Sequence, residues 1–203
     1  MDHGSMNHDS MNHEAMGHDG GLGKAGFGSN APVVHKESEK GFQVDMQADN
    51  PTGQLNDPGI GLRGNGRRVL TYGDLRSWHP TADPREPERE VQLHLTGNMS
   101  RYMWSMDGIR FADAEPLMLK LNERVRITLV NDTMMNHPIH LHGMWSDLED
   151  ANGNFLTRRH TIPVQPAQRV SFSVTADALG RWAWHCHLLL HMDAGMFREV
   201  IVA

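Results

Sequence analysis

The chain has 203 residues, room for one solid domain with a long extension, and only 38% of them are hydrophobic, low for a chain packed throughout. A net charge of −6 with no basic stripe argues against a nucleic-acid partner, and no apolar run approaches the ~20 residues of a membrane span. The single cysteine, Cys186, excludes an internal disulfide, and the oddity left to explain is 14 histidines beside 14 methionines.

In chain order, the first element is a repeat, MDHGSMNHDSMNHEAMGHDG. Met1, Met6, Met11 and Met16 recur every five residues, and His3, His8, His13 and His18 each follow two places on. That period suits neither a helical stripe nor a strand face. Thioether and imidazole repeated on a polar chain form a ligand set for a soft ion, Cu(I) first, and the competing reading is a low-complexity linker. Residues 1–30, ending in Gly-rich GGLGKAGFGSN, are expected to be a flexible, partly disordered extension. No apolar signal-peptide core is visible there, so no export signal is expected within the chain. Residues 31–90 are polar and punctuated by Pro and Gly. They are expected to form an extended connector along a domain surface, with only RRVLTYGDL suited to regular structure.

From residue 91 the texture changes. VQLHLTG, RYMWSM, RVRITLVN, RVSFSVTA, RWAWHCH and FREVIVA are short runs of β-branched, aromatic and alternating residues, separated by turns such as Asp107-Gly108 and Asn152-Gly153. They predict an all-β domain over 91–203, an antiparallel Greek-key β-sandwich.

The chemistry is concentrated in NHPIHLHGMW (136–145) and WHCHLLLHMDAGMF (184–197). Alternate side chains of a strand face opposite ways. In RWAWHCH, Trp182 and Trp184 mark the core side, so Cys186 is expected to point inward and His185 and His187 outward. By the same parity His137 shares the inward side with Ile139 and Leu141, whereas His140 and His142 point out. The loop after the cysteine returns His191 and Met196 to the inward set. Two imidazoles, a thiolate and a weak thioether make the donor set of a blue-copper electron-transfer centre. Zinc would take the Cys and His ligands but gains nothing from the Met. The four outward histidines also call for metal, and Cys186 links two of them covalently.

On His-x-x-His-x-His and His-Cys-His-x3-His-x4-Met the sequence resembles the multicopper oxidases across the whole C-terminal domain. With the pentads included, it resembles the C-terminal portion of the periplasmic copper resistance protein A family. The resemblance implies a cupredoxin-like sandwich and a periplasmic location. It also implies type 1 copper on His137, Cys186, His191 and Met196, type 2 copper on His140, and the type 3 pair on His142, His185 and His187. In that family electrons enter at type 1, and O2 is reduced to water at the trinuclear cluster, which makes Cys186, His185 and His187 the electron-transfer residues. The cluster also needs two His-x-His motifs from an N-terminal cupredoxin half; none precedes residue 140, and His79 and His94 stand alone. This chain is therefore expected to supply half the cluster and to be inactive by itself. Met192 stands where many relatives carry a proton-relaying glutamate, with Asp193 beside it. Cuprous oxidases of this kind hold substrate Cu(I) on a methionine and an acid just before the first type 1 histidine; Met135 with Asp132 is the candidate pair here, with core packing the competing reading for Met134 and Met135. Met99, Met103 and Met106 read as strand or core residues. The expected function is oxidation of Cu(I) to Cu(II) by O2. Two alternatives remain open: a stand-alone cupredoxin that carries electrons or sequesters copper, and a fragment with no independent role.

Overall fold

A computed structural model describes residues 28–203; the Met/His pentads and most of the Gly-rich stretch lie outside the described residues. Eleven strands form two sheets. One runs β2 (Met103–Met106), β1 (Arg89–Asn98), β4 (Arg124–Asn131), β9 (Arg169–Thr175), β6 (Ser146–Glu149) and β7 (Phe155–Arg159). The other runs β3 (Leu117–Leu119), β11 (Phe197–Val202), β10 (Gly180–Cys186), β5 (His137–Leu141) and β8 (Thr161–Val164). The only α-helix among the described residues, α1 (Leu189–Asp193), follows β10.

The alternation read from the sequence appears directly as burial. In β5, His137, Ile139 and Leu141 are buried while Pro138 and His140 are half-buried. In β11, Arg198, Val200 and Val202 are buried between half-buried neighbours. The strand faces close on Leu95, Trp104, Ile127, Leu129, Leu148, Phe172 and Trp184, none more than 2% exposed. Each such side chain removed from water contributes about 1.5–3 kcal/mol, and this supplies the drive for two sheets to face one another. Asp107-Gly108 makes the expected turn, with φ of 56° and 70° and Met106 bridged to Ile109.

The sandwich is mixed, not wholly antiparallel as expected. β1 pairs with β4 in parallel, Leu93 opposite Leu129, and β11 pairs with β3 in parallel, Val200 opposite Leu117. Parallel neighbours need a long crossover, and no short-range signal reports it.

The segment before β1 wraps the sandwich with little regular structure. Its 3-10 turns are Glu37–Lys40 and Tyr72–Asp74, the second inside RRVLTYGDL. It is tied down at intervals: Lys36 Nζ to Asp107 Oδ2 at 2.6 Å, Asp45 N–H to Gly97 O at 3.0 Å, and a bridge from Thr52 to Gln168. Leu55, 4% exposed, joins the core. β1 begins at Arg89, two residues before the boundary read from texture.

Candidate metal centres

Three elements deliver the inward site. His137 opens β5, Cys186 closes β10, and His191 lies on α1. All are buried: His137 and Cys186 at 0% and His191 at 4% exposure. Cys186 Sγ lies 3.6 Å from His137 Nδ1 and 3.8 Å from His191 Nδ1, and the two Nδ1 atoms are 3.1 Å apart. Ligands at 2.0–2.1 Å for nitrogen and 2.3 Å for sulfur around one ion have N···S edges of about 3.6–3.8 Å. The triangle is therefore the size of a metal ion.

Met196, fully buried, is brought to the same loop by the backbone. Its N–H donates to His191 O at 2.9 Å, and its carbonyl accepts from Cys186 N–H at 3.1 Å. Gly195 precedes it at φ 124°, where a Cβ would stand 2.3 Å from Trp104 O, so only glycine fits that return. Trp104 walls the site: its ring stacks on His191 at 4.1 Å and meets His137 edge-on at 5.0 Å.

The ligand nitrogens are oriented from behind. The Thr133 hydroxyl gives its proton to Asn131 Oδ1 at 2.9 Å and accepts from His137 Nε2 at 2.7 Å, which leaves Nδ1 bare and facing Cys186. Burial, helped by His191, holds the His137 pKa down to about 3, and burial alone lowers that of His191. Burial pushes the Cys186 thiol up to about 11. Both imidazoles are thus neutral and able to act as ligands, and the thiol keeps its proton unless a cation displaces it.

The outward set gathers on the other side of β5 and β10. His140 and His142 ring centroids are 4.5 Å apart, and His185 and His187 are 5.9 Å apart. His142 Nε2 and His185 Nε2 face one another at 3.0 Å. His185 Nδ1 donates to Cys186 O at 3.0 Å and His140 Nδ1 to His160 O, so both present Nε2 outward. Burial lowers the pKa of His140 and His142, with neighbouring imidazoles adding to it. His187 and His142 are exposed, but His185 is only 7% exposed, with Phe197, its partner across β11, parallel and offset at 5.9 Å.

Sequence reading passed over His160, which the β7–β8 corner sets 5.3 Å from His140; it stands in no motif. Asp132, the acid expected beside Met135 for substrate Cu(I), lies in a polar environment of its own. The Asp132 carboxylate is 2% exposed, accepts from Ala48 N–H at 2.7 Å and meets His94 Nδ1 at 2.6 Å, because it belongs to a buried polar cluster on β1. His94 is accordingly not alone. Met135 is half-buried against the core and Met134 is 65% exposed. Met106 is fully buried, while Met99, at 44% exposure, lies at the surface rather than in the core. The pentad ligands lie outside the described residues. No helix among those residues is long and apolar enough to cross a membrane.

Comparison with known proteins places this geometry in context. The profile of the multicopper oxidase family matches residues 84–203. The chain is 65% identical over 175 residues to a copper resistance protein A homolog of Pseudomonas syringae pv. tomato, covering 85% of this chain and 30% of that protein. It is 66% identical over 159 residues to copper resistance protein A of Escherichia coli, covering 78% and 26%. The chain thus spans under a third of the length of these curated relatives. Among solved structures it resembles a multicopper oxidase of Campylobacter jejuni, described as a metallo-oxidase, with a TM-score of 0.51 at 21% identity over 61% of this chain and 32% of that one. McoA multicopper oxidase of the hyperthermophile Aquifex aeolicus gives a TM-score of 0.51 at 25% identity over 61% and 31%. The profile match over more than half of the sequence, with a buried Cys/His2 triangle inside it, leads to one conclusion: the chain belongs to the multicopper oxidase family.

Proposed function

We propose that this chain is the C-terminal part of a periplasmic copper-resistance multicopper oxidase that oxidises Cu(I) to Cu(II) while O2 is reduced to water. The observation that carries the reading is the position of Cys186, whose side chain enters the inward triangle while its backbone is flanked by His185 and His187 of the outward set. Bound at these sites, copper supplies one-electron transfer inside and four-electron O2 reduction outside. His137, Cys186, His191 and Met196 hold the type 1 ion, with Thr133 and Trp104 fixing the imidazoles. His140 serves type 2 and His142, His185 and His187 serve type 3. With copper at both sites, the hydrogen bond from His185 Nδ1 to the Cys186 carbonyl would join them by a short path through this chain's own atoms. Met135 contacts substrate Cu(I), and the Met/His pentads collect it.

The outward histidines supply half of a trinuclear site, and an N-terminal cupredoxin half supplies the rest. A simple electron carrier has no use for those four imidazoles, which disfavours the stand-alone reading. The test is spectroscopic and functional. The Cu(II)-loaded chain should be intensely blue from thiolate-to-copper charge transfer, and Cys186→Ser should be colourless. Sustained O2 uptake with a reductant should appear only when the N-terminal half is added. A colourless folded chain with Cu(II) bound would refute the type 1 assignment, and turnover by the lone chain would refute the half-cluster.

A further inference from the structure

Away from the copper sites, four titratable side chains converge on one point beneath the wrapping segment. His35 Nδ1, Glu39 Oε2, His94 Nδ1 and Asp132 Oδ2 all lie within 4.8 Å of one another. Glu39, His94 and Asp132 are at most 2% exposed, and only the His35 side chain, at 23%, reaches the surface. His35 precedes the 3-10 turn Glu37–Lys40 and Glu39 lies within it, His94 lies on β1, and Asp132 follows β4.

The hydrogen bonds behind His94 place one of its ring protons. Gln92 Oε1 accepts from Val34 N–H at 3.1 Å and Gln92 Nε2 donates to Pro32 O at 3.2 Å, which settles the orientation of the amide. His94 Nε2, 3.1 Å from that same Oε1, must therefore donate and carry a ring proton. His94 also turns Nδ1 toward Asp132 Oδ2 at 2.6 Å and Glu39 Oε2 at 3.3 Å. Atoms that close need a proton or a metal cation among them. His35 Nδ1 completes the ring, 2.9 Å from Glu39 Oε2 and 3.7 Å from Asp132 Oδ2. The second carboxylate oxygen of Glu39 is buried with no hydrogen-bond partner, an expensive arrangement for an acid placed there only for structure.

We propose that His35, Glu39, His94 and Asp132 form a binding site for a divalent first-row cation, separate from the type 1 and trinuclear positions. As ligands, two carboxylates and two imidazoles without their extra protons carry a charge of −2, which one divalent ion neutralises. Ligands at 2.0–2.2 Å in tetrahedral array stand about 3.3–3.6 Å apart; four of the six edges here are 2.6–3.7 Å and all are within 4.8 Å, so modest side-chain shifts admit it. Imidazole with carboxylate and no sulfur suits Zn2+ or Cu2+ and disfavours Cu(I). Gln92 orients the His94 ligand from behind, as buried metal sites require. The site joins the segment before β1 to the sandwich, and Asp132 adjoins Thr133, the residue that holds His137. The ion therefore pins the wrapping segment where it supports the inward site.

The test uses the full chain loaded with cadmium and read by cadmium NMR, which separates nitrogen and oxygen ligation from thiolate ligation by chemical shift. One nitrogen/oxygen-type resonance should vanish in both His35→Gln and Asp132→Asn yet persist in Cys186→Ser, while the thiolate-shifted resonance behaves in the opposite way. His35, at the exposed edge, can be changed without opening the core, so an unaltered near-UV spectrum should accompany its loss. With Zn2+, amide-exchange protection of residues 35–48 should rise in the wild-type chain and stay unchanged in His35→Gln. If every nitrogen/oxygen-type resonance survives in a folded His35→Gln, or Zn2+ leaves exchange of that segment unaltered, the cluster holds protons only and the proposal fails.

Discussion

Gly97→Ala is a stringent probe of how the core holds the inward site. Gly97 lies in β1 directly opposite Trp104 of β2. A Cβ there would stand 2.6 Å from Trp104 Cε3, 2.9 Å from Cζ3 and 3.0 Å from Met103 O. Carbon atoms rest at about 3.5–4.0 Å, so the indole must retreat by about 1 Å. The indole is fully buried, stacks on His191 at 4.1 Å and contacts His137 at 5.0 Å, so it has no free volume to enter and carries the imidazoles with it. Overpacking of this kind costs about 1–3 kcal/mol, or about 2–12 °C of melting temperature in a protein of this size. Trp104→Phe removes the six-membered ring that meets the new methyl, at its own cavity cost. We therefore expect thermal unfolding of the wild type, both single variants and the double variant to give a strongly non-additive cycle. Gly97→Ala should cost at least about 1 kcal/mol less when Trp104→Phe is already present. A cycle additive within about 0.5 kcal/mol would show that the two residues do not compete for the same space and would refute the argument.

Other expectations concern the ligands themselves. Met196→Leu conserves volume, so stability should fall by less than about 1.5 kcal/mol, but the reduction potential of the bound copper should change with its axial donor; an unchanged potential would remove Met196 from the ligand set. Thr133→Val keeps the shape but drops the bond to His137 Nε2. It should weaken copper binding by roughly 10–100-fold, and equal affinity in titrations would show that the threonine orients nothing. Binding at the inward site should also depend on pH. The thiol, raised by burial to about 11, is protonated at neutral pH, and His137, lowered to about 3, is not. Each ion bound there therefore expels one proton, and affinity should climb about tenfold per pH unit between pH 5 and 8. The difference between wild type and Cys186→Ser isolates that slope; a flat difference would mean the thiol is already ionised.

How much of this was legible in the sequence depends on the range of each interaction. The two-residue period of a strand is a property of the backbone, so RWAWHCH by itself separated Cys186 from His185 and His187, and HPIHLH separated His137 from His140 and His142. Asp107-Gly108 likewise announced its turn, because the left-handed backbone there favours that pair. Even so, local parity did not foretell that His185 would be buried beside Phe197, which arrives from β11. The parallel pairing of β1 with β4, the approach of His160 to His140, and the stacking of Trp104 on His191 were all decided by which sheets pack together. The assignment of Asp132 shows the difference most clearly. The resemblance to cuprous oxidases pointed to Met135 beside it, and nothing in the sequence announced that the fold also brings His94 from β1 and His35 and Glu39 from the wrapping segment to its carboxylate. A buried charge takes whichever partners the packed core brings within about 3 Å, and those partners leave no period or spacing in the sequence.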